Sequence, residues 1–353
     1  MDTHTCRAKP SHSRRLPAFW TGFALLIALI ISAICSLGFG AEPLPLPTVV
    51  DAIANGPGTS TDPASLIVWE LRLPRAILAI AAGAGLAIAG TAIQTLVRNP
   101  LADPYLLGIS SGASVGATAV IALGFAAWAG NWALTVGALV GALAAALLVF
   151  GVAQAQGGLT PLRLILTGTV LSSAFSSLAS FLVFWAADPQ ATNSVLFWLL
   201  GSLSGATWDN VWIPVIAAIL AALAALGLSG WLDALAAGDD TAAALGVPVR
   251  GLRICLFVSQ ALLVGLIVAV VGGIGFVGLI VPHIARLLVG GRHRAVIPVA
   301  ALAGAVFLVW VDVLSRVAVR PVELPLSVLT GLIGAPVFLF LLGRKSYRFG
   351  DSR

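Results

Sequence analysis

Few residues of this chain stand at spacings that could support enzyme chemistry. Residues 108–112 (GISSG) fit the GxSxG pattern of a serine nucleophile, but that pattern needs a preceding strand and acid and base partners, which the surrounding residues do not supply. Residues 273–278 (GIGFVG) fit GxGxxG, yet no strand precedes them and no acidic residue follows at about 20 positions. The only lysines, Lys9 and Lys345, lie outside any P-loop pattern. We therefore expect no catalytic residues and no ATP site in this chain.

Residue types that bind metals are dispersed along the sequence. Cys6, Cys35 and Cys255 form no CxxC or Cys/His spacing, so neither a zinc site nor a disulfide framework is indicated. His283 follows a proline on an apolar turn, where a structural hydrogen bond is a commoner role than contact with iron or haem. His293 lies in a basic stretch that we interpret as a cytoplasmic loop. The sequence therefore predicts no metal site and no cofactor.

Hydroxyl side chains make the most regular polar pattern. Within residues 166–185 they recur at i, i+3, i+4, i+7 and i+11, which is one face of a helix. The members are Thr169, Ser172, Ser173, Ser176 and Ser180. Such a face would be a weakly polar, uncharged wall along which a large ligand could slide. Alternatively, each hydroxyl bonds the carbonyl four residues earlier and only permits packing.

Composition indicates what must position these residues. Apolar residues make up 59% of the 353 and charged residues 9%, against roughly 25% charged in a soluble domain. The apolar residues fall in runs of about 20, the length of a membrane-spanning helix. The net charge of +5 comes from basic residues at the ends of these runs, so it indicates topology and not nucleic-acid binding. We predict an all-α, polytopic membrane protein.

Ten transmembrane helices can be assigned. They are 17–39, 73–97, 105–126, 132–155, 162–186, 209–230, 252–271, 274–290, 295–315 and 325–343. The first run is longer than a signal-peptide core and lacks a convincing cleavage pattern, so we predict a retained helix. The chain thus divides into an N-terminal tail (1–16), a ten-helix transmembrane domain (17–343) and a C-terminal tail (344–353). A bend at the membrane edge is expected over 98–112.

The distribution of basic residues predicts the orientation. With both termini cytoplasmic, 15 of the 19 Lys and Arg residues lie inside, as the positive-inside rule requires. Arg72, Arg75, Arg316 and Arg320 remain outside as exceptions. No carboxylate is expected at mid-depth, since Asp312 lies near the outer end of its span. That weakens the alternative function, an ion-coupled secondary transporter, because such proteins usually carry an acidic group in the membrane.

The largest cytoplasmic connection, 231–251, has the pattern of short helices. Asp239, Asp240 and Thr241 can cap and favourably charge a helix beginning at about residue 242. Gly246 and Pro248 should end it. A purely structural hairpin is the alternative. Elsewhere three GxxxG pairs predict close helix packing. These pairs are Gly112/Gly116, Gly137/Gly141 and Gly201/Gly205.

Four ordered motifs resemble one transporter family. They are RLPRAILAIAAGAGLAIAGTAIQTLVRNPLADPYLLGISSGASVGA (72–117), GDDTAAALGV (238–247), GGIGFVGLIVPHIAR (272–286) and ELPLSVLTGLIGAPVFLFLL (323–342). Together they resemble the FecCD-type permease subunits of ABC importers for iron-siderophore complexes, haem and cobalamin. The resemblance covers roughly residues 66–343. It implies an ATP-driven importer of a large metal chelate in the inner (cytoplasmic) membrane.

The resemblance also implies partners and roles. A second permease subunit, in a homodimer, would share a central pathway lined by the hydroxyl-bearing helix. Two ATPase subunits would hydrolyse ATP in trans, contacting a coupling segment that contains Asp239, Asp240, Thr241, Leu245 and Gly246. A periplasmic binding protein would deliver substrate.

The outside arginines take their expected role from the same resemblance. Arg72, Arg75 and Arg316 match residues that meet glutamates of the binding protein, and Arg forks suit carboxylates. The alternative is that they bind lipid phosphate or pair internally, Arg316 with Asp312 four residues earlier. Arg320 has no such match.

Overall fold

The structure, a computed structural model, describes residues 17–40, 42–57 and 62–343. The predicted tails 1–16 and 344–353 lie outside the described residues. Across those ranges the chain is helical, and its one β feature is an isolated bridge between Val319 and Val322. The prediction of an all-α fold is confirmed.

Fifteen α-helices follow one another in the described part of the chain. They are α1 (Ala18–Gly38), α2 (Leu46–Asn55), α3 (Pro63–Leu66), α4 (Leu73–Leu96), α5 (Ile109–Leu123), α6 (Ala133–Ala155), α7 (Pro161–Ala186), α8 (Pro189–Leu199), α9 (Trp212–Gly227), α10 (Ser229–Ala237), α11 (Asp239–Ala244), α12 (Val249–Val271), α13 (Val277–Val289), α14 (His293–Val317) and α15 (Leu326–Gly343). A π-helical stretch, Ile67–Arg72, joins α3 to α4 without a break.

One helix lies on each of the ten predicted spans. These helices are α1, α4, α5, α6, α7, α9, α12, α13, α14 and α15. Of the helices described, six are long and apolar enough to cross a membrane, and α9 with α10 is a further candidate bent by 65°. The helices α5, α13 and α15 are apolar but shorter. A polytopic membrane protein is therefore confirmed, while the count of ten crossings stays a prediction.

Helix α4 forms the centre of the bundle. Of the 18 residues in its most apolar stretch, 83% are buried. The helix packs against α9, α12, α13 and α14. A helix that is apolar all round belongs in such a position. Leu78, Leu86 and Ile93 are almost fully buried. The alanines and glycines between them let four neighbouring helices approach closely.

Two of the predicted GxxxG pairs pack against each other. A Cβ on Gly116 of α5 would lie 1.9 Å from the carbonyl oxygen of Gly137 on α6. One turn away, a Cβ on Gly112 would lie 2.5 Å from the carbonyl oxygen of Gly141. These contacts leave no room for a methyl group, so the packing role predicted for the two pairs is confirmed.

The third predicted pair does not form a helix contact. Gly201 and Gly205 lie in the connection between α8 and α9. Gly201 has φ +73°, a turn conformation that suits glycine. A Cβ on Gly205 would have no neighbour within 4 Å. The packing prediction for this pair was wrong, because the spacing occurs in a turn and not in a helix.

The short helices α5 and α13 each begin directly after a residue in the left-handed conformation. The predicted bend is present, since α4 ends at Leu96 and α5 begins at Ile109 after a left-handed Gly108 with φ +75°. Helix α13 likewise follows a left-handed residue, Phe276 with φ +68°. The Phe276 ring fits against Gly334 of α15. Each break lets the chain turn inside the bundle at a residue held by its neighbours.

A side chain of α4 compensates for the proline inside α13. Pro282 has no N–H, so the carbonyl of Gly278 loses its helical hydrogen-bond partner. The Gln94 amide nitrogen donates to the carbonyl oxygens of Gly278 at 3.3 Å and Leu279 at 3.1 Å. In lipid an unpaired carbonyl is costly, so this contact fixes α13 against α4.

The glycine contacts make a stability prediction. Gly116→Ala should destabilise the bundle by about 1–3 kcal/mol, because the new methyl group meets the α6 backbone, which cannot rotate away. Gly151→Ala, in α6 with open space around its Cβ position, is the matched control and should be neutral or stabilising. Thermal unfolding of the purified variants in detergent measures both. Equal melting temperatures for the two variants would contradict the contact.

Candidate functional site

The predicted hydroxyl face lies on α7, a helix that the chain leaves largely uncovered. Of the 18 residues in its most apolar stretch, only 6% are buried. Thr169, Ser173, Ser176 and Ser180 are exposed, whereas Ser172 is half-buried. The Ser172 hydroxyl lies 3.4 Å from the point that a Cβ on Gly108 would occupy. Four of the five predicted residues thus line an open surface and one points toward α5.

Several of these hydroxyls bond their own helix. Thr169 donates to the Ile165 carbonyl at 2.8 Å, Ser173 to that of Thr169 at 3.2 Å and Ser180 to that of Ser176 at 3.0 Å. This is the bonding expected under the packing alternative. It occurs on exposed positions, however, so it lowers the polarity of the surface without burying it.

Part of the hydroxyl face borders a cavity of about 290 Å³ between α5, α7 and α8. Four of its lining residues carry hydroxyls, namely Ser114, Ser176, Ser180 and Thr192. The others are apolar, and none carries a charge: Ala179, Val183, Val195, Leu196 and Leu199. The cavity is therefore weakly polar, with no group that would hold an ion strongly.

The 231–251 segment forms the end of α10, the short α11 and the start of α12. Helix α11 begins at Asp239, not at about residue 242 as predicted, and it ends at Ala244. Gly238 supplies the cap with φ +125°, a conformation that favours glycine, so the backbone turns three residues earlier. The carboxylates of Asp239 and Asp240 lie in the first turn, where they suit the helix dipole, but neither side chain caps the helix. The predicted stop is confirmed at Gly246, with φ +79°.

The five residues predicted for coupling divide between two faces. Asp240, Thr241, Leu245 and Gly246 are exposed, and Leu245 is 69% accessible, which is unusual for a leucine. Asp239 turns inward instead. Its carboxylate accepts two hydrogen bonds from one Arg253 nitrogen, at 2.9 and 3.0 Å. The exposed face is the surface that a protein partner could contact.

Sequence reasoning misplaced His293, which is buried and begins α14 instead of lying in an open loop. Its Nδ1 lies 2.6 Å from the Asp233 carboxylate of α10, and its Nε2 lies 2.7 Å from the Thr95 hydroxyl of α4. The Asp233 carboxylate also accepts the His293 backbone N–H. This cluster ties α10, and with it the 231–251 segment, to α4 and α14.

At the other end of α4, the three predicted docking arginines lie together and are mostly buried, at 7 to 8% exposure. Arg75 donates through both terminal nitrogens to the Glu323 carboxylate, at 2.8 and 2.9 Å. Its Nε donates to Asp312 at 2.8 Å. Asp312 also pairs with Arg316 at 2.9 Å, as the alternative of internal pairing anticipated.

The other contacts of these arginines attach α1 to the bundle. Arg72 donates to the carbonyls of Leu37 at 2.6 Å and Glu42 at 2.5 Å. Arg316 donates to the carbonyl of Phe39 at 2.7 Å. We call Arg72, Arg75, Arg316, Asp312 and Glu323 the arginine cluster. It joins the ends of α1, α4 and α14, and one side of it opens on a cleft of about 270 Å³.

Metal-binding groups do not converge anywhere in the part of the chain that the structure describes. No group of three or more His, Cys, Asp or Glu side chains there could hold a metal ion.

Comparison with known proteins identifies the fold. A model of the FecCD transport family matches residues 27–344. The chain belongs to this family.

The ferric enterobactin permease FepD of Escherichia coli (strain K12) is 40% identical over 325 residues, covering 91% of this chain and 94% of FepD. The molybdate permease MolB of Haemophilus influenzae (strain Rd) is 36% identical over 318 residues, covering 90% and 93%. A solved metal-chelate type ABC transporter, captured facing inward, superposes with a TM-score of 0.80 at 34% identity and covers 91% of this chain and 98% of its own.

FecCD membership confirms the resemblance inferred from the four motifs and the assignment as an importer permease subunit. The sequence did not reveal Asp233 or Glu323 as partners. A pairing between residues 60 or 248 positions apart leaves no local pattern.

The hydroxyl face gives a labelling prediction for this FecCD permease. In a chain from which Cys6, Cys35 and Cys255 have been removed, cysteines introduced at 172, 176 and 180 should react with a water-soluble maleimide. Position 172 should react most slowly because it is half-buried. Cysteines at 174, 178 and 182 lie on the opposite face and serve as controls. Labelling confined to the controls would contradict a water-accessible hydroxyl face.

Proposed function

We propose that this FecCD-family chain is the membrane-spanning permease of an ATP-driven importer that carries a large metal chelate into the cytoplasm. The observation that carries the proposal is the family match over residues 27–344, which includes nearly all of the described bundle. Ferric siderophore or haem is the substrate class we favour, with cobalamin less favoured. The permease FepD serves ferric enterobactin and MolB serves molybdate, so the family accommodates different cargo.

The proposed topology has ten crossings of the inner membrane and both termini in the cytoplasm. Two polar clusters support it. Helix α4 begins beside the arginine cluster, and Arg98, two residues after its end, lies 4.0 Å from the Asp239 carboxylate, which also binds Arg253. The arginine cluster and this second group of charges thus sit at opposite ends of one helix, as expected for an outer and a cytoplasmic surface.

Energy would come from two ATPase subunits that contact the exposed face of α11. Asp240, Thr241, Leu245 and Gly246 offer a short helix with a carboxylate at one end and an apolar side chain at the other. A buried Leu245 would stabilise such a contact by about 1.5–3 kcal/mol. Asp239 would act differently, since its carboxylate is already bound to Arg253.

The substrate pathway would lie between two copies of this chain. Helix α7 leaves most of its surface uncovered, and a second permease subunit facing it would enclose the hydroxyl faces of both. A weakly polar wall without charges would let a bulky chelate pass without a deep binding site. We assign Thr169, Ser172, Ser173, Ser176 and Ser180 to this wall.

A binding protein would deliver the chelate at the arginine cluster. Arg72, Arg75 and Arg316 place three positive charges beside an open cleft, whose wall also carries Glu42 and Glu323. Glu323 is 41% exposed, so a partner carboxylate could take its place on Arg75.

ATP coupling in trans is the direct test of the proposed function. Purified alone in lipid, the chain should hydrolyse no ATP, and with its ATPase subunit activity should appear. Replacing residues 240–245 with flexible Gly/Ser sequence should abolish stimulation of the ATPase by the permease, because it removes the exposed face of α11. An equally long Gly/Ser replacement at 127–132, an exposed part of the outer connection between α5 and α6, is the control. Unchanged stimulation by the 240–245 replacement would contradict the coupling role.

The docking proposal predicts a difference between two outer arginines. Arg72→Gln should slow association of the binding protein about tenfold at low salt and weaken its salt dependence, because a charge beside the cleft guides the encounter. Arg320→Gln removes an exposed charge on the same side and should change the rate much less. Association rates at several salt concentrations measure both, and unfolding temperatures confirm that the Arg72 variant is folded. An equal effect of the two variants would contradict docking at the cluster.

A further inference from the structure

One arginine connects the coupling segment to the pathway helix. Arg253, in the first turns of α12, donates through one terminal nitrogen to the Asp239 carboxylate of α11. Its other terminal nitrogen donates to the Leu159 carbonyl at 2.9 Å. Leu159 lies two residues before Pro161, the first residue of α7. A single guanidinium group therefore touches both the helix proposed to meet the ATPase and the entrance of the helix proposed to line the pathway.

The guanidinium group in this link is rigid. A guanidinium group is planar, so its two terminal nitrogens cannot move independently. The Arg253 side chain is 8% exposed, and with Leu159 it borders a cavity of about 520 Å³, which gives the guanidinium group room to move. The Asp239 side chain is 39% exposed, so the ion pair is only partly buried. A displacement of α11 would therefore rotate Arg253 and pull on the carbonyl that precedes α7.

The link also leaves a buried hydrogen-bond donor unpaired, which costs free energy of folding. The Arg253 Nε is buried and has no hydrogen-bond partner among the described residues. Buried donors are normally satisfied, and an exception calls for an explanation. Arg98 also lies near the Asp239 carboxylate, so one carboxylate serves two arginines. The Arg253 guanidinium group thus keeps one buried donor that neither α7 nor α11 satisfies.

We propose that Asp239, Arg253 and the Leu159 carbonyl form a relay that transmits movement of α11 to α7. Arg253 is a positioning residue and does not contact substrate. The proposal rests on the proposed function, since it needs an ATPase that displaces α11. It adds that the coupling segment acts on the pathway helix through one partly buried ion pair, in addition to contacts with its own neighbouring helices.

The test uses the assembled permease and ATPase complex in nanodiscs, with Cys6, Cys35 and Cys255 replaced and Ser176→Cys as the reporter on α7. Two quantities are measured: the rate of ATP hydrolysis, and the maleimide labelling rate of the reporter without nucleotide and with ATP plus vanadate. The variants are Asp239→Asn, which removes the carboxylate charge, and Arg253→Lys, which keeps the charge but loses the planar fork. Asp209→Asn, an exposed carboxylate in the α8–α9 connection, is the matched control.

The relay predicts a split between the two measurements. In Arg253→Lys, ATP hydrolysis should continue while the nucleotide-dependent change in labelling falls to about a tenth of its original size, within the range of allosteric coupling energies. Asp239→Asn should show the same loss of the labelling change. The control should retain both. A merely structural role would lower ATP hydrolysis and the labelling change together and would overturn the relay. A labelling change of full size in Arg253→Lys would overturn it as well.

The parent complex separates this proposal from the one on which it rests. If the chain with its native Asp239 and Arg253 neither stimulates the ATPase nor shows a nucleotide-dependent labelling change, the proposed function fails. If the parent responds and the variants respond equally, only the relay fails. Should Asp239→Asn not assemble with the ATPase, Arg253→Lys still decides, because it preserves the buried charge.

Discussion

The need to neutralise charge inside an apolar bundle organises this molecule. A buried arginine in lipid is tolerated only when acids and carbonyls surround it. Arg75 and Arg316 share Asp312, and Arg253 is bound to Asp239. These pairs sit near the two ends of the long helices, so the middle of the bundle can remain uncharged. Both ends thereby become rigid points to which other proteins or helices can attach.

The uncharged middle is held together by shape. Without charges, close contact between glycine backbones and compensation of a free carbonyl by Gln94 fix the helices relative to one another. The same absence of charge leaves α7 with hydroxyls as its polar groups over the predicted face. A wall of that kind interacts weakly with any one ligand.

The sequence predicted features that depend on local length and pattern. The ten apolar runs coincide with ten helices because a run of that length has one stable form in lipid. The start of α11 was misjudged because Gly238 turns the backbone in a way that acidic capping residues do not signal. The burial of His293 and the partners of Arg75 could not be predicted, since Asp233, Asp312 and Glu323 are distant in sequence. The family resemblance supplied roles for single residues, and the structure showed which of their side chains are exposed and which are paired internally.

We propose that ATP hydrolysis by a partner subunit, and not an ion gradient, drives transport through this chain. Uptake can be measured in proteoliposomes that contain the permease, its ATPase subunit and its binding protein, with ferric enterobactin, haemin and cobalamin as probes. We expect one of these probes to accumulate when ATP is present, and ionophores should leave the rate of uptake unchanged. Accumulation that proceeds without ATP and collapses when the proton gradient is dissipated would instead indicate a secondary transporter.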